Sequence, residues 1–104
     1  MAVINVTTWR IRPGRIQEFV TNASGARKIH ERLGGKVRIW QAVAGGEPNT
    51  IGYGIEHDDL TSYGSFSDKL VADSEWQAFI LRIQGQTDPG AELVSSALYN
   101  EIPV

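Results

Sequence analysis

The feature that most constrains this chain is the change of hydrophobic period near residue 15. Residues 2–11, Ala-Val-Ile-Asn-Val-Thr-Thr-Trp-Arg-Ile, are dense in β-branched and aromatic side chains and run into Pro13-Gly14, a turn signal, so they predict a strand. Beyond Arg15 the apolar positions become Ile16, Phe19, Val20, Ala23, Ala26, His30 and Leu33, spaced by threes and fours, and Gly34-Gly35 ends them as a C-cap would. This stretch predicts a helix. Alternation returns over residues 36–44. Gly45-Gly46-Glu47-Pro48-Asn49 separates it from residues 50–56, a second short strand centred on Tyr53, and the two predict a hairpin. Asp58 or Asp59 is placed to cap a helix starting near Leu60. Ser74, with Gln77 three residues on, makes a capping-box pattern, so this helix should break near residues 72–74. Gln86-Thr87-Asp88-Pro89-Gly90 is loop chemistry, and residues 92–102 read as the last strand.

The order β-α-β-β-α-β is the ferredoxin-like arrangement: an α+β fold with a four-stranded antiparallel sheet and both helices on one face. With 104 residues it is expected as a single domain over 1–104. Two helices cover only one side of such a sheet, and the other side should be polar. Instead, strand one offers Val3, Trp9 and Ile11 to one face and Ala2, Ile4 and Val6 to the other. The last strand divides Leu93, Ala97 and Tyr99 from Val94, Leu98 and Ile102. Two apolar faces predict a second copy of the chain as cover, hence a homodimer.

Charge narrows the function. Residues 1–40 hold eight Lys/Arg against Glu18 and Glu31, while residues 41–104 hold Lys69 and Arg82 against ten acids. The halves are expected to pair with each other; the alternative is an anion site around Arg27, Lys28 and Arg32 at the end of helix one. A net charge of −2 argues against nucleic-acid binding. The absence of cysteine excludes disulfides, thiol catalysis and thiolate metal sites. No apolar run approaches the ~18 residues of a membrane span, and the N-terminus opens directly into strand-like sequence, so a cytoplasmic protein is expected. Asn5-Val6-Thr7 and Asn22-Ala23-Ser24 match the glycosylation sequon, and without a leader they read as chance.

The entry into helix one, Ile11-Arg12-Pro13-Gly14-Arg15-Ile16-Gln17-Glu18-Phe19, its exit Leu33-Gly34-Gly35-Lys36, and above all Asp73-Ser74-Glu75-Trp76-Gln77-Ala78-Phe79 resemble NIPSNAP-like members of the dimeric α/β-barrel superfamily. The resemblance covers nearly the whole chain. It implies a homodimer whose two sheets form a barrel, with a ligand cleft in each subunit between sheet and helices. It does not imply one reaction, because the superfamily includes monooxygenases, haem-degrading enzymes and isomerases. The haem-degrading members set an Asn, a Trp and a His around the cleft; rough positional matching puts Thr7, Lys69 and Phe79 there, which speaks against haem degradation.

Within that frame the candidate residues are few. His30 lies on the apolar face of helix one and reads either as a general base with a pKa near neutrality or as a hydrogen-bonded structural histidine at the cleft edge. Trp9 and Tyr53 fall on the two central strands, and Trp76 and Phe79 sit one helical step apart; they read as core or as ligand walls. With Thr7 these residues are expected to border a mostly apolar cleft. Gly52 and Gly54 leave one face of a central strand bare, either for a ligand or for a close neighbour. Trp40 is assigned to the dimer interface. His57 shares the spacing of Ile51, Tyr53 and Ile55 but also ends the strand. His57, Asp58 and Asp59 are successive and point different ways, so no metal is expected. No G-x-G-x-x-G, P-loop, G-x-S-x-G or H-E-x-x-H occurs, and no cofactor is expected. The expected function is binding of a small lipophilic or aromatic molecule. The alternative is a cofactor-independent monooxygenase or isomerase acting on an aromatic or polyketide-like substrate, with His30 moving a proton and Tyr53 and Thr7 orienting a carbonyl or phenol.

Overall fold

A computed structural model describes all residues 1–104. The elements follow the expected order: β1 (Val3–Ile11), α1 (Ile16–Arg32), β2 (Lys36–Gln41), β3 (Thr50–His57), α2 (Leu60–Ala72), α3 (Ser74–Gln84) and β4 (Ala91–Asn100). The strands form one sheet in the order β2-β3-β1-β4, all neighbours antiparallel. The molecule measures 38 × 37 × 18 Å, the thickness of one sheet and one helical layer.

The helix break falls where expected, but its cap is Asp73 rather than Ser74. The Asp73 carboxylate accepts from the Trp76 amide at 2.9 Å, while the Gln77 side chain reaches back to the Val71 carbonyl, so the capping box does not form. Asp59 caps α2 by accepting from the Ser62 amide at 2.7 Å. β2 stops at Gln41, three residues early, because the chain leaves the ladder for the glycine-rich loop and Val43 is fully exposed. At the end of α1, Gly34 takes φ 103°, a conformation costly for any residue with a Cβ.

The register corrects the expected division of β4. A shift between Thr8 and Trp9 places Leu93 opposite Trp9, whereas Ala97 and Tyr99 oppose Val6 and Ile4. Directly opposed residues share a face, so the bulge sends Leu93 to the helix side and leaves Ala97 and Tyr99 on the open side. The open side carries Ile4 and Val6 from β1, Ala97 and Tyr99 from β4, and Trp40 from β2. Gly52 and Gly54 are bare because the Trp40 indole lies across them: a Cβ on Gly54 would meet the Trp40 ring at 2.8 Å and Ile4 at 3.0 Å.

The core lies on the helix side, where Val37, Tyr53, Ile55, Ala23, Ala26 and Phe66 form its centre. Ile29, outside the periodic set read from the sequence, is more deeply buried than Ala23 or Ala26. No large side chain is completely sealed from solvent, so the core of one chain is thin.

The two oppositely charged halves do pair. Arg10 bonds Glu47 and Glu92, Arg12 and Arg15 share Asp88, Arg32 bridges Asp73 and Glu75, and Lys36 and Arg38 meet Asp58 and Glu56. Arg27 is engaged by Glu31 within α1, and with Arg32 spent on α3 these cations do not converge into an anion site.

Candidate functional site: a cleft between sheet and helices

Splitting the second helix creates the cleft. α2 packs on β3, whereas α3 turns away at Asp73 and packs chiefly on α1 and α2, so the helix side of β1 and β4 is left partly uncovered. About 350 Å³ of space opens there. β1 supplies the floor through Asn5, Thr7 and Trp9, which alternate onto one face. α1 contributes Phe19, Ala23, Ala26 and His30, and α3 contributes Trp76, Phe79, Ile80 and Ile83.

All six residues singled out in the sequence, Thr7, Trp9, His30, Tyr53, Trp76 and Phe79, border this one cleft. Their contacts are specific. His30 Nδ1 and the Tyr53 hydroxyl lie 2.7 Å apart, a buried hydrogen bond between α1 and β3. The Trp9 indole N–H donates to Thr7 Oγ1 at 2.9 Å, and the Thr7 hydroxyl donates in turn to the Tyr53 carbonyl at 3.3 Å. Trp76 and Phe79 stack with centroids 5.3 Å apart and planes 14° from parallel, and the Arg82 guanidinium sits 5.1 Å over the outer Phe79 ring. Trp76 also packs on His30 at 4.6 Å.

Burial sets the electrostatics. Desolvation, with a smaller contribution from His57, holds His30 down to about 4, so its imidazole is uncharged near neutrality. The same loss of water pushes the Tyr53 phenol well above its usual range. The pair is therefore a neutral donor and acceptor. With Tyr53 donating, His30 carries its proton on Nε2; with His30 donating from Nδ1, Nε2 is free to accept and the phenol proton points elsewhere. The reading of His30 as a base poised near neutrality is thereby corrected: burial without a carboxylate partner depresses the pKa.

Several bordering residues were not singled out in the sequence. Asn5 follows from strand alternation with Thr7 and Trp9, and Asn22 from helical spacing with Phe19 and Ala26, so their signals were present. Gln86, Pro89 and Gly90 come from the loop before β4, which Arg12 and Arg15 fasten through Asp88 and the Pro89 carbonyl. Lys69, matched by position to the cleft, instead borders a different cavity with His57. His57 is the buried last residue of β3, on the face of Tyr53 and Ile55; it packs against Tyr63 and Phe66. No three His, Cys, Asp or Glu side chains converge to hold a metal.

The fold that holds this cleft is the ferredoxin-like α+β arrangement. No protein-family model and no curated protein sequence matches the chain. Among solved structures, a NIPSNAP family protein of Agrobacterium tumefaciens superposes with TM-score 0.71 at 22% identity, covering 100% of this chain and 94% of that one. An uncharacterized NIPSNAP domain protein of Burkholderia xenovorans also gives 0.71, at 23% identity over 97% and 95% of the two chains. A putative antibiotic biosynthesis monooxygenase of Chloroflexus aurantiacus gives 0.61 at 13% identity over 100% and 96%. The chain has the fold of NIPSNAP family proteins. No helix is long and apolar enough to cross a membrane.

Proposed function

We propose that this protein is a homodimeric small-molecule-binding protein whose cleft takes a flat, neutral, largely apolar ligand. The cleft carries the reading: about 350 Å³ bounded by aromatic and aliphatic side chains, with a few polar groups placed among them. Stacked Trp76 and Phe79 suit a planar ring. The uncharged His30–Tyr53 pair suits a hydroxyl or carbonyl rather than a carboxylate, and Glu18, the one charged residue in the lining, is already bound by Arg15 at 2.6 Å. The thin core and the exposed Trp40 and Tyr99 on the open sheet face support a second copy of the chain as cover. Light scattering at micromolar concentration should then report about twice the 11.4 kDa chain mass.

Tryptophan fluorescence tests the ligand class. 2-Naphthol should quench Trp9 and Trp76 saturably, and Phe79→Ala should weaken binding by about tenfold, the size of a lost aromatic contact. 2-Naphthoate should bind less well. Equal affinity for the two probes, or no saturable quenching by either, contradicts the reading.

A second reading, a cofactor-independent monooxygenase or isomerase acting on an aromatic or polyketide-like substrate, draws on the His30–Tyr53 contact and on the monooxygenase-like neighbour. In it His30 Nε2 accepts an acidic substrate proton while Nδ1–H donates to Tyr53. A base with a pKa of about 4 is weak for this task, which is why binding stands first. Should a bound compound be turned over, His30→Ala should slow it by ~100-fold. Unchanged turnover removes His30 from the chemistry.

A further inference from the structure

We propose that a second cavity, at the foot of α2, is a separate binding site for a small oxyanion of the phosphate type, free or as the terminal group of a monoester. This cavity of about 320 Å³ lies beyond Phe66 from the cleft. The Phe66 ring is the partition, with centroids 5.8 Å from His30 on one side and 4.7 Å from His57 on the other. The site does not depend on what the cleft binds.

Its lining is unlike the cleft's. Only Leu33 and Phe66 are hydrophobic, and α2 turns Ser62, Ser65 and Lys69 toward it at spacings of three and four, with Thr61 beside them. Thr61 and Ser62 lie on the first turn of this 13-residue helix, where the Asp59 carboxylate already meets the Ser62 amide, Ser65 lies one turn on, and the Lys69 ammonium is carried by the last turn. The independent observation is His57. It is 4% exposed and forms no hydrogen bond within the protein, and since no buried side-chain nitrogen or oxygen lacks a partner, its ring nitrogens open onto the cavity it lines. An imidazole whose nitrogens are accessible and unpaired by its own chain is free to bond a ligand in that cavity.

The charges at the rim fix the sign of that ligand. Two carboxylates border the cavity, but Glu56 is bound by Arg38 at 3.2 Å and Asp58 by Lys36 at 3.3 Å. Lys69, the remaining charged residue of the lining, forms no ion pair, while Asp59 at the start of α2 is held by the Ser62 amide at 2.7 Å. A divalent cation is disfavoured, since no three carboxylate or imidazole groups converge here. A tetrahedral oxyanion can accept from Lys69, from the serine hydroxyls and from a His57 N–H together.

The test is an NMR titration of the whole chain with inorganic phosphate and, separately, with methyl phosphate, at constant ionic strength held with sodium chloride. Saturable shifts are expected at His57, Ser62, Ser65 and Lys69, with Trp76 and Phe79 unmoved. Lys69 is exposed, so Lys69→Ala keeps the fold; it should weaken binding by tenfold or more, and Lys69→Arg should restore most of it. His57→Gln, which retains one donor, should weaken binding less than His57→Leu. Saturation by phosphate alone marks the free ion as the ligand; saturation by both marks the terminal group. Shifts that rise linearly without saturating, or an affinity unchanged in Lys69→Ala, overturn the proposal.

Discussion

Lowering the pH from 7.5 to 5 should destabilise this protein through His30, and the loss can be worked from its burial. The ordinary imidazole pKa of 6.5 falls to about 4 in the fold, chiefly because the ring is taken out of water. Between those values the unfolded chain binds a proton that the folded chain refuses. The contribution of His30 is therefore fully present above pH 6.5 and is lost as the pH falls toward 4. At pH 5 the unfolded chain has gained its proton over ~1.5 pH units while the folded chain has gained almost none, so stability drops by about 2 kcal/mol at ~1.36 kcal/mol per unit. His57, also held down by burial, adds in the same direction. Urea unfolding followed by tryptophan fluorescence, at one protein concentration and at pH 7.5, 6.5, 5.8 and 5, measures the sum. His30→Gln keeps a hydrogen-bonding group for Tyr53 but cannot titrate, so its profile should be flatter than the parent's by that ~2 kcal/mol, with the His57 contribution common to both. Parallel profiles would show that the imidazole is not desolvated, and with it the neutral character of the His30–Tyr53 pair would fall.

Other consequences are more local. Gly52→Ala puts a methyl group into the Trp40 indole, so it should cost about 1–3 kcal/mol in urea unfolding and expose the Trp40 ring to quenching by iodide; a neutral effect would mean the indole does not lie across the sheet. Asp73→Ala removes both the α3 cap and the ion pair to Arg32 at 2.8 Å, with an expected loss of about 1–2 kcal/mol, most of it retained in 1 M salt because the cap outlasts the screened pair. Tyr99→Asp, on the open sheet face, should convert the proposed homodimer to a monomer in light scattering while leaving helical circular dichroism unchanged; a persistent dimer would place the interface elsewhere.

How far the sequence reached follows from the range of the interactions involved. Element order, strand pairing class and the broken second helix rest on local period and on turn residues, and these were legible. Asp73 was passed over for Ser74 because both are good N-caps one residue apart, and only the bond to the Trp76 amide separates them. The flip of Leu93 to the helix side depends on a bulge against β1 that leaves no mark in β4 alone. The convergence of Thr7, Trp9, His30, Tyr53, Trp76 and Phe79 was legible because alternation and helical spacing each choose a face. What joins His30 to Tyr53 was not: the pair is 23 residues apart in sequence, and its 2.7 Å contact depends on how α1 sits over β3. The size of the cleft was equally hidden, since it comes from the direction α3 takes after Asp73. Lys69 shows the limit of positional matching, because the turn of α2 that carries it faces the second cavity.

The central claim is that the space between Trp9, Trp76 and Phe79 is a ligand site rather than loose packing. Native mass spectrometry of the protein equilibrated with a panel of neutral aromatic phenols and ketones tests it most directly. The account predicts a species of twice the 11.4 kDa chain mass carrying one added compound per chain, with the adduct reduced in Phe79→Ala. A spectrum showing only the bare protein across the whole panel would contradict it.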